Sequence, residues 1–401
     1  MNDQHKQLNL SPAHEKLIIA VIMCIVPILG MAIDLISPSL PAISTSLQIS
    51  NAASKNLVSI YLFGFGLGNF GLGLLSDSFG RKNLSIIGFI IFILASLLPA
   101  IFPSVIMLFL GRFLQGLSLG AVAVVRSVLS DILPKDKIVK IATLIATMWG
   151  LGPVIGPIIG GYLQYYIGWQ AGFYFFAIYG VLILIAIIAI IPETHFHRQP
   201  LKILQIKTNI LTILSHAQFL GVVLLMGVTY STLIIFHTLG PFLIQKELHY
   251  SAIYFGHAAL WMGSVFLVGT MICRQLVKRY SPEHILYYAL PSFLFVGMGW
   301  LLLSYIFPLN ISVIVIPCML MFFGCGIIYP VSMGRAMSLF QHLAGSSLAL
   351  MNLINVLITS ACAFFMSFIN ATSIIPLSWL YLILMLLSCA IYAALILRHK
   401  E

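Results

Sequence analysis

The sequence predicts an all-α integral membrane protein with twelve transmembrane helices in two six-helix bundles. Three observations predict it. Of the 401 residues, 61% are apolar and only 7% are charged; mean hydropathy is +1.08; and the apolar residues fall in long runs separated by short polar breaks. A soluble domain carries roughly 25% charged residues, so this composition cannot clothe a surface in water. A bilayer accepts it. Lipid offers no partner to loose backbone groups, so each crossing must be a helix of about 20 apolar residues.

Apolar runs read against breakers place the spans at 17–38, 54–76, 83–103, 105–130, 138–164, 169–191, 218–244, 252–275, 284–307, 311–334, 342–368 and 375–397, each long enough to cross with some tilt. Residues 1–16 are polar and carry no small-residue cleavage site after the run that follows, so the first span is expected to stay in the mature protein. The longest internal polar stretch, 192–217, holds Glu193, His195, His197, Arg198, Lys202 and Lys207. It divides the spans six and six, giving bundles at 17–191 and 218–397 with a linker between them and a short tail, 398–401.

Orientation follows from the basic residues. With the N-terminus inside, the cytoplasmic side holds Lys6, Lys16, Arg81, Lys82, Lys135, Lys137, Lys140, Arg198, Lys202, Lys207, Arg274, Lys278, Arg279, Arg335, Arg398 and Lys400, against Lys55 and Lys246 outside. Both termini are then cytoplasmic. The net charge of +10 is thereby a topology signal, not the footprint of a nucleic-acid partner, because the cations fall in loops instead of along one face. Six cysteines lie far apart inside apolar runs, which argues against a disulfide framework or a metal site. No cofactor is expected.

A weak repeat links the halves. Gly73, Asp77 and Arg81-Lys82 at the end of the second span stand in the same relation as Gly269, Cys273 and Val277-Lys278 at the end of the eighth; Arg335 sits near the end of the tenth span much as Arg126 does in the fourth. Duplicated six-helix units build transporters whose substrate site lies between the halves near the midplane.

Ionisable groups in hydrocarbon are costly and tend to face a cavity. Of ten acids, Asp34 alone lies well inside a span. Burial disfavours the charged form of a carboxylate, so Asp34 is placed to exchange a proton or to meet a cationic substrate; the alternative is a cap at the outer end of the first span, ahead of Pro38 and Pro41. Arg112, in Gly111-Arg112-Phe113-Leu114-Gln115-Gly116, also lies within the membrane and needs acceptors. It either couples protonation to helix movement or is a structural arginine tied to backbone carbonyls and Gln115. Asp77 and Arg81 after the second span, with Arg126 and Asp131 closing the fourth, can clip helix ends together as a cytoplasmic gate; the alternative is an insertion signal with weak surface pairs. In the fifth span Gly152, Gly156, Gly160 and Gly161 alternate with Pro153 and Pro157, a combination that lets a neighbour approach closely and bends the helix. Met148, Trp149, Tyr230, His237, His257, Trp261, Tyr329, Asn352 and Asn355 are candidates to line the substrate cavity, the two histidines as proton relays; the alternative for each is packing.

These segments resemble the major facilitator superfamily, and within it the twelve-span drug:proton antiporters of the Bcr/CflA group. The loop signature is matched at Gly73, Asp77, Gly80, Arg81 and Lys82, the fourth-span signature at Arg112, Gln115 and Gly116, and the antiporter signature at Gly152, Gly156, Pro157, Gly160 and Gly161. The resemblance implies the major facilitator fold, alternating access and proton antiport, with Asp34 as proton site, Arg112 as its partner, and Asp77, Arg81 and Asp131 as the charge lock. Two positions depart from the group: Gln170 replaces an arginine after Gly168-Trp169, and no second acid precedes Asp34 by a turn. The expectation is a monomeric inner-membrane exporter of drugs or toxic compounds, not an enzyme. Its partners are a small-molecule substrate, protons and the bilayer. A dedicated exporter of one metabolite or siderophore, or a proton-coupled importer, stands as the alternative.

Overall fold

The computed structural model describes residues 11–195, 203–340, 343–370 and 372–397; a few side chains inside helices, among them those of Asp77 and Trp149, lie outside the description. Twelve long helices follow one another: α1 Pro12–Ser46, α2 Asn51–Phe79, α3 Arg81–Ile101, α4 Val105–Ile132, α5 Lys135–Tyr166, α6 Gln170–Ile190, α7 Ala217–Glu247, α8 Ala252–Leu276, α9 Pro282–Ile306, α10 Ile311–Leu339, α11 Ala344–Ser367 and α12 Ile374–Leu397. Among the described residues, eleven of these are long and apolar enough to cross a membrane. The twelfth, α5, has 32 residues, about 48 Å at 1.5 Å per residue.

Short polar residues set many of the starts. Ser50, Ser104, Ser251, Ser281 and Asn310 each cap a helix by accepting from the backbone N–H three residues on, satisfying a donor that has no partner inside the helix. The first span runs further than 17–38. Pro38 and Pro41 do not end it, because Pro38 sits in a 3₁₀ turn, Ser37–Ser39, and Pro41 in the first turn of the last segment, Leu40–Ser46, where a missing N–H costs little. In the stretch read as a linker, Ile203–Leu214 forms a helix with Leu204 and Leu211 exposed.

Two apolar cores form. One draws on α1–α6, with a few residues from α7 and α11; the other draws entirely on residues from Ile213 onward. The halves meet mainly along two helix pairs, α2 with α11 and α5 with α8, with a smaller contact of α1 with α7. On the first pair the Lys55 Nζ donates to the Ile369 carbonyl at 2.7 Å and the Ser360 hydroxyl to the Ser59 carbonyl at 2.8 Å, and a Cβ on Gly66 would lie 3.4 Å from Val356. Gly73 shares a face of α2 with Gly66, seven residues or nearly two turns away. Gly345 shares a face of α11 with Val356, eleven residues or about three turns away. Neither Gly73 nor Gly345 has any atom within 4 Å of a Cβ built there. Among the described residues, the halves therefore touch toward the end that carries Lys55 and part toward the end that carries Arg81.

Candidate functional site

Asp34 sits near the middle of this contact. The chain continues helically for twelve residues beyond it to Ser46, about 18 Å at 1.5 Å per residue, so the carboxylate is not at the rim. It is 4% exposed, and its Oδ1 lies 3.3 Å from Nε2 of His237 on α7, which is 2% exposed. A second link runs beside the first: the Ser37 hydroxyl donates to the His237 carbonyl. Further out, Gln245 Nε2 donates to the Pro38 carbonyl at 2.9 Å. A cavity of about 20 Å³ is lined by Asp34, His237, Tyr230, Pro153, Phe266 and Phe322, room for about one water.

Arg112, 1% exposed, does not pair with Asp34. Its Nη1 donates to the Ala32 carbonyl at 2.9 Å and to Gln115 Oε1 at 3.1 Å, and its Nε to the Leu57 carbonyl at 3.3 Å. The guanidinium lies 4.4 Å from the centre of the Tyr61 ring. A planar donor fork suits this assembly of acceptors. The geometry therefore matches the carbonyl-tied reading of Arg112, which joins α4 to α1 two residues before Asp34.

At the other end of the bundle, Arg81 Nε and Asp131 Oδ2 are 2.9 Å apart, and the Thr194 hydroxyl donates to the same Oδ2 at 2.6 Å. The Glu193 carboxylate accepts from the backbone N–H of Arg81 and of Lys82 at 3.0 and 3.1 Å, at the N-terminus of α3 where a negative charge is favoured. The sequence places Glu193 in the linker, whereas in the structure it closes α6 onto α3. The Asp77 side chain lies outside the described residues, and Arg126 is exposed on α4. The second half has its own clip of opposite polarity. Glu283 in the first turn of α9 stands where Arg81 stands on α3, and its Oε1 is 3.3 Å from Nε of Arg335 on α10.

The glycines of α5 serve two faces. A Cβ on Gly152 would come within 2.6 Å of Gly30 Cα, one on Gly156 within 3.3 Å of Asp34 Cβ, and one on Gly160 against the Leu35 carbonyl, all inside the first half. Gly161 faces α8 across the boundary, 2.6 Å from the Ala252 carbonyl, and Gly256 on α8 returns the contact to the Pro157 carbonyl.

The cavity candidates divide. Tyr230 and Tyr329 lie ring to ring at 5.4 Å, and Asn355 Nδ2 donates to the Tyr329 hydroxyl at 3.3 Å; Asn352 is half-buried on the same helix as Asn355. Met148 packs against the first core. The Trp149 side chain is outside the described residues. His257 and Trp261 are not in the cavity: they fall on an exposed stripe of α8 with Tyr254, Val268 and Ile272, since residues three and four apart share a helix face. At the touching end, sequence missed a cluster: Lys55, only 1% exposed, and Lys246 lie 5.0 and 5.5 Å from the Phe242 ring, and Lys246 Nζ donates to Asn51 Oδ1 at 2.8 Å.

The Major Facilitator Superfamily pattern matches residues 22–363. Among curated proteins, the chain is 27% identical to a bicyclomycin resistance protein homolog of Haemophilus influenzae over 282 residues, 69% of this chain and 70% of that one. It is 23% identical to the multidrug resistance protein MdtL of Shewanella oneidensis, over 85% and 86%, and 26% identical to the chloramphenicol resistance protein CraA of Acinetobacter baumannii, over 72% and 68%. Among solved structures, a D-xylose–proton symporter superposes with a TM-score of 0.75 at 14% identity, covering 95% of this chain and 98% of that one. That likeness speaks to the fold alone.

Proposed function

Because the chain belongs to the Major Facilitator Superfamily, a family of membrane transporters, we propose that it exports small drug-like molecules across the inner membrane in exchange for protons, by alternating access. Both termini face the cytoplasm in this reading, since the clip at Arg81 then falls on the side rich in Lys and Arg. The observation that carries the proposal is the Asp34 carboxylate, buried between the halves with no permanent cation within bonding reach among the described residues. A charge so placed is expensive. Either a proton or a cationic or polar substrate relieves it, and the two compete for one site, which is the requirement for antiport. The arrangement at the touching end corresponds to a state closed outward. In this reading Asp77, Arg81 and Asp131 form the first half's side of the inner gate, with the Arg81–Asp131 pair kept while that end is open.

The test compares export of chloramphenicol and of bicyclomycin, in cells and in liposomes carrying a proton gradient, between wild type and Asp34→Asn. The variant is expected to lose export against a gradient while still catalysing downhill exchange. Uphill export by Asp34→Asn at the wild-type rate removes Asp34 as the coupling acid. A dedicated exporter of one metabolite is the second reading, favoured by the lone intramembrane acid; wild-type cells that move neither drug, yet release a metabolite that a deletion strain retains, decide for it.

A further inference from the structure

His237 belongs to a part of the chain that has no acid of its own in the membrane, yet it reaches across the boundary between the halves to the one acid that is there. The contact is not incidental to packing. Two separate links hold the same stretch of α1 to the same turn of α7, one through the side chains of Asp34 and His237 at 3.3 Å and one from the Ser37 hydroxyl to the His237 carbonyl. The ring is fixed by Phe236 at 5.7 Å and Phe322 at 6.2 Å. Its Nδ1 is buried without a hydrogen-bond partner among the described residues.

We propose that His237 is the second half of the proton site: Asp34 Oδ1 and His237 Nε2 hold one proton between them while the outer end is closed. The inference rests on Asp34 being the coupling acid, and adds a partner on the opposite half. With one proton the pair is neutral overall, and with that proton on Asp34 neither group carries a charge that a dry interior would penalise. When the proton leaves to water on the inner side, the pair is left with one negative charge in a dry contact, and parting of the halves relieves that cost by admitting water. The outer end is then free to part once substrate is bound. On the outside a proton from water returns to the pair and closes it again. One proton is taken from outside and one given inside per cycle.

Other ionisable groups around α7 do not replace either member. Tyr230 lies on α7 itself, Tyr61 on α2, Cys325 and Tyr329 on α10 and Cys362 on α11. Tyr381 on α12 is turned to Trp300, and α8 presents Phe255, Gly263 and Phe266. The nearby permanent cations, Arg112 and Lys55, are bonded to the carbonyls of Ala32, Leu57 and Ile369.

The test reads closure of the outer end directly. Spin labels introduced as unnatural amino acids at Thr45 and Tyr250, exposed positions on opposite halves, report the distance between the halves in the full chain in lipid nanodiscs as pH is varied. Wild type is expected to close on acidification with the slope of a single proton. His237→Gln, which keeps a hydrogen bond but cannot take a proton, is expected to displace the midpoint by about one pH unit or more, and Asp34→Asn to abolish the response. His237→Asn serves if the glutamine variant does not fold. A midpoint and slope unchanged in both histidine variants, with the response lost in Asp34→Asn, overturns the role of His237 and leaves Asp34 in place. A response that survives in Asp34→Asn overturns both.

Discussion

Adding one methyl group to Gly161 separates the work of the α5–α8 contact from the work of folding. A Cβ there lies 2.6 Å from the Ala252 carbonyl oxygen and 3.3 Å from Ile253 Cα; on Gly256 it lies 2.6 Å from the Pro157 carbonyl oxygen and 3.2 Å from Ile158 Cα. Every atom in the way is backbone, so no side chain can swing aside, and the two helices must move apart. Overpacking of this kind costs about 1–3 kcal/mol. The penalty exists only while α5 and α8 touch. On the proposed reading it is therefore a bias against the outward-closed state, and at about 1.4 kcal/mol per tenfold it shifts the population by roughly 5- to 150-fold. Gly152→Ala is the control. Its Cβ meets Gly30 Cα at 2.6 Å and the Met31 nitrogen at 2.7 Å, both within the first half, so it weakens every conformation alike. The assay is the distance between labels at Thr45 and Tyr250 at fixed pH, together with thermal unfolding. Gly161→Ala and Gly256→Ala are expected to lengthen the distance with little change in unfolding; Gly152→Ala should lower the unfolding temperature with the distance unchanged. If Gly152→Ala opens the outer end and Gly161→Ala does not, the assignment of the two faces of α5 is wrong.

Two further predictions concern the ends of the bundle. A double-mutant cycle on Arg81→Gln and Asp131→Asn, whose side chains are 10% exposed, should return a coupling of about 0.5–3 kcal/mol in thermal stability, whereas the same cycle on Glu283→Gln and Arg335→Gln, 25% and 34% exposed, should return under about 1 kcal/mol. Lys55→Met keeps the apolar stem but strands the Ile369 carbonyl, costing about 1–3 kcal/mol. It should favour the outward-open state in the same distance assay, and an unchanged distance would show that the lysine only packs.

Hydropathy sufficed for twelve spans because lipid leaves the backbone so few choices. It failed at the end of α1, where Pro38 and Pro41 look like breakers but occupy first-turn positions that tolerate proline. Asp34 and Arg112 were legible for the same reason as the spans: an ionisable residue in an apolar run is conspicuous. What each touches was not. The pairing of Asp34 with a histidine some two hundred residues away follows from how the halves dock, and nothing local to His237 distinguishes it from His257, which the helix turns outward. Glu193 and Glu283 escaped because they stand at helix ends, where an acid reads as a loop residue until its partner is known. The charge-reversed clip in the second half was hidden twice over, since the repeat keeps the position and swaps the sign.

The α5 motif carries more than closeness of packing. Gly156 forms the wall behind the Asp34 side chain, 3.3 Å from its Cβ, and one residue later the Pro157 carbonyl bears on Gly256 of α8. A proline cannot donate to the helix ladder, so the bond from position 157 back to the carbonyl of Pro153 is missing behind both contacts. Gly156, like Gly152, packs within the first half, so this wall travels with Asp34 when α5 parts from α8. On the proposed reading, the carboxylate senses the position of the second half through His237 in front, while Gly156 behind sets how it is held. A substitution at Gly156 should thus alter how tightly the site holds its proton, whereas one at Gly161 acts only through the closing equilibrium and leaves the site itself unchanged.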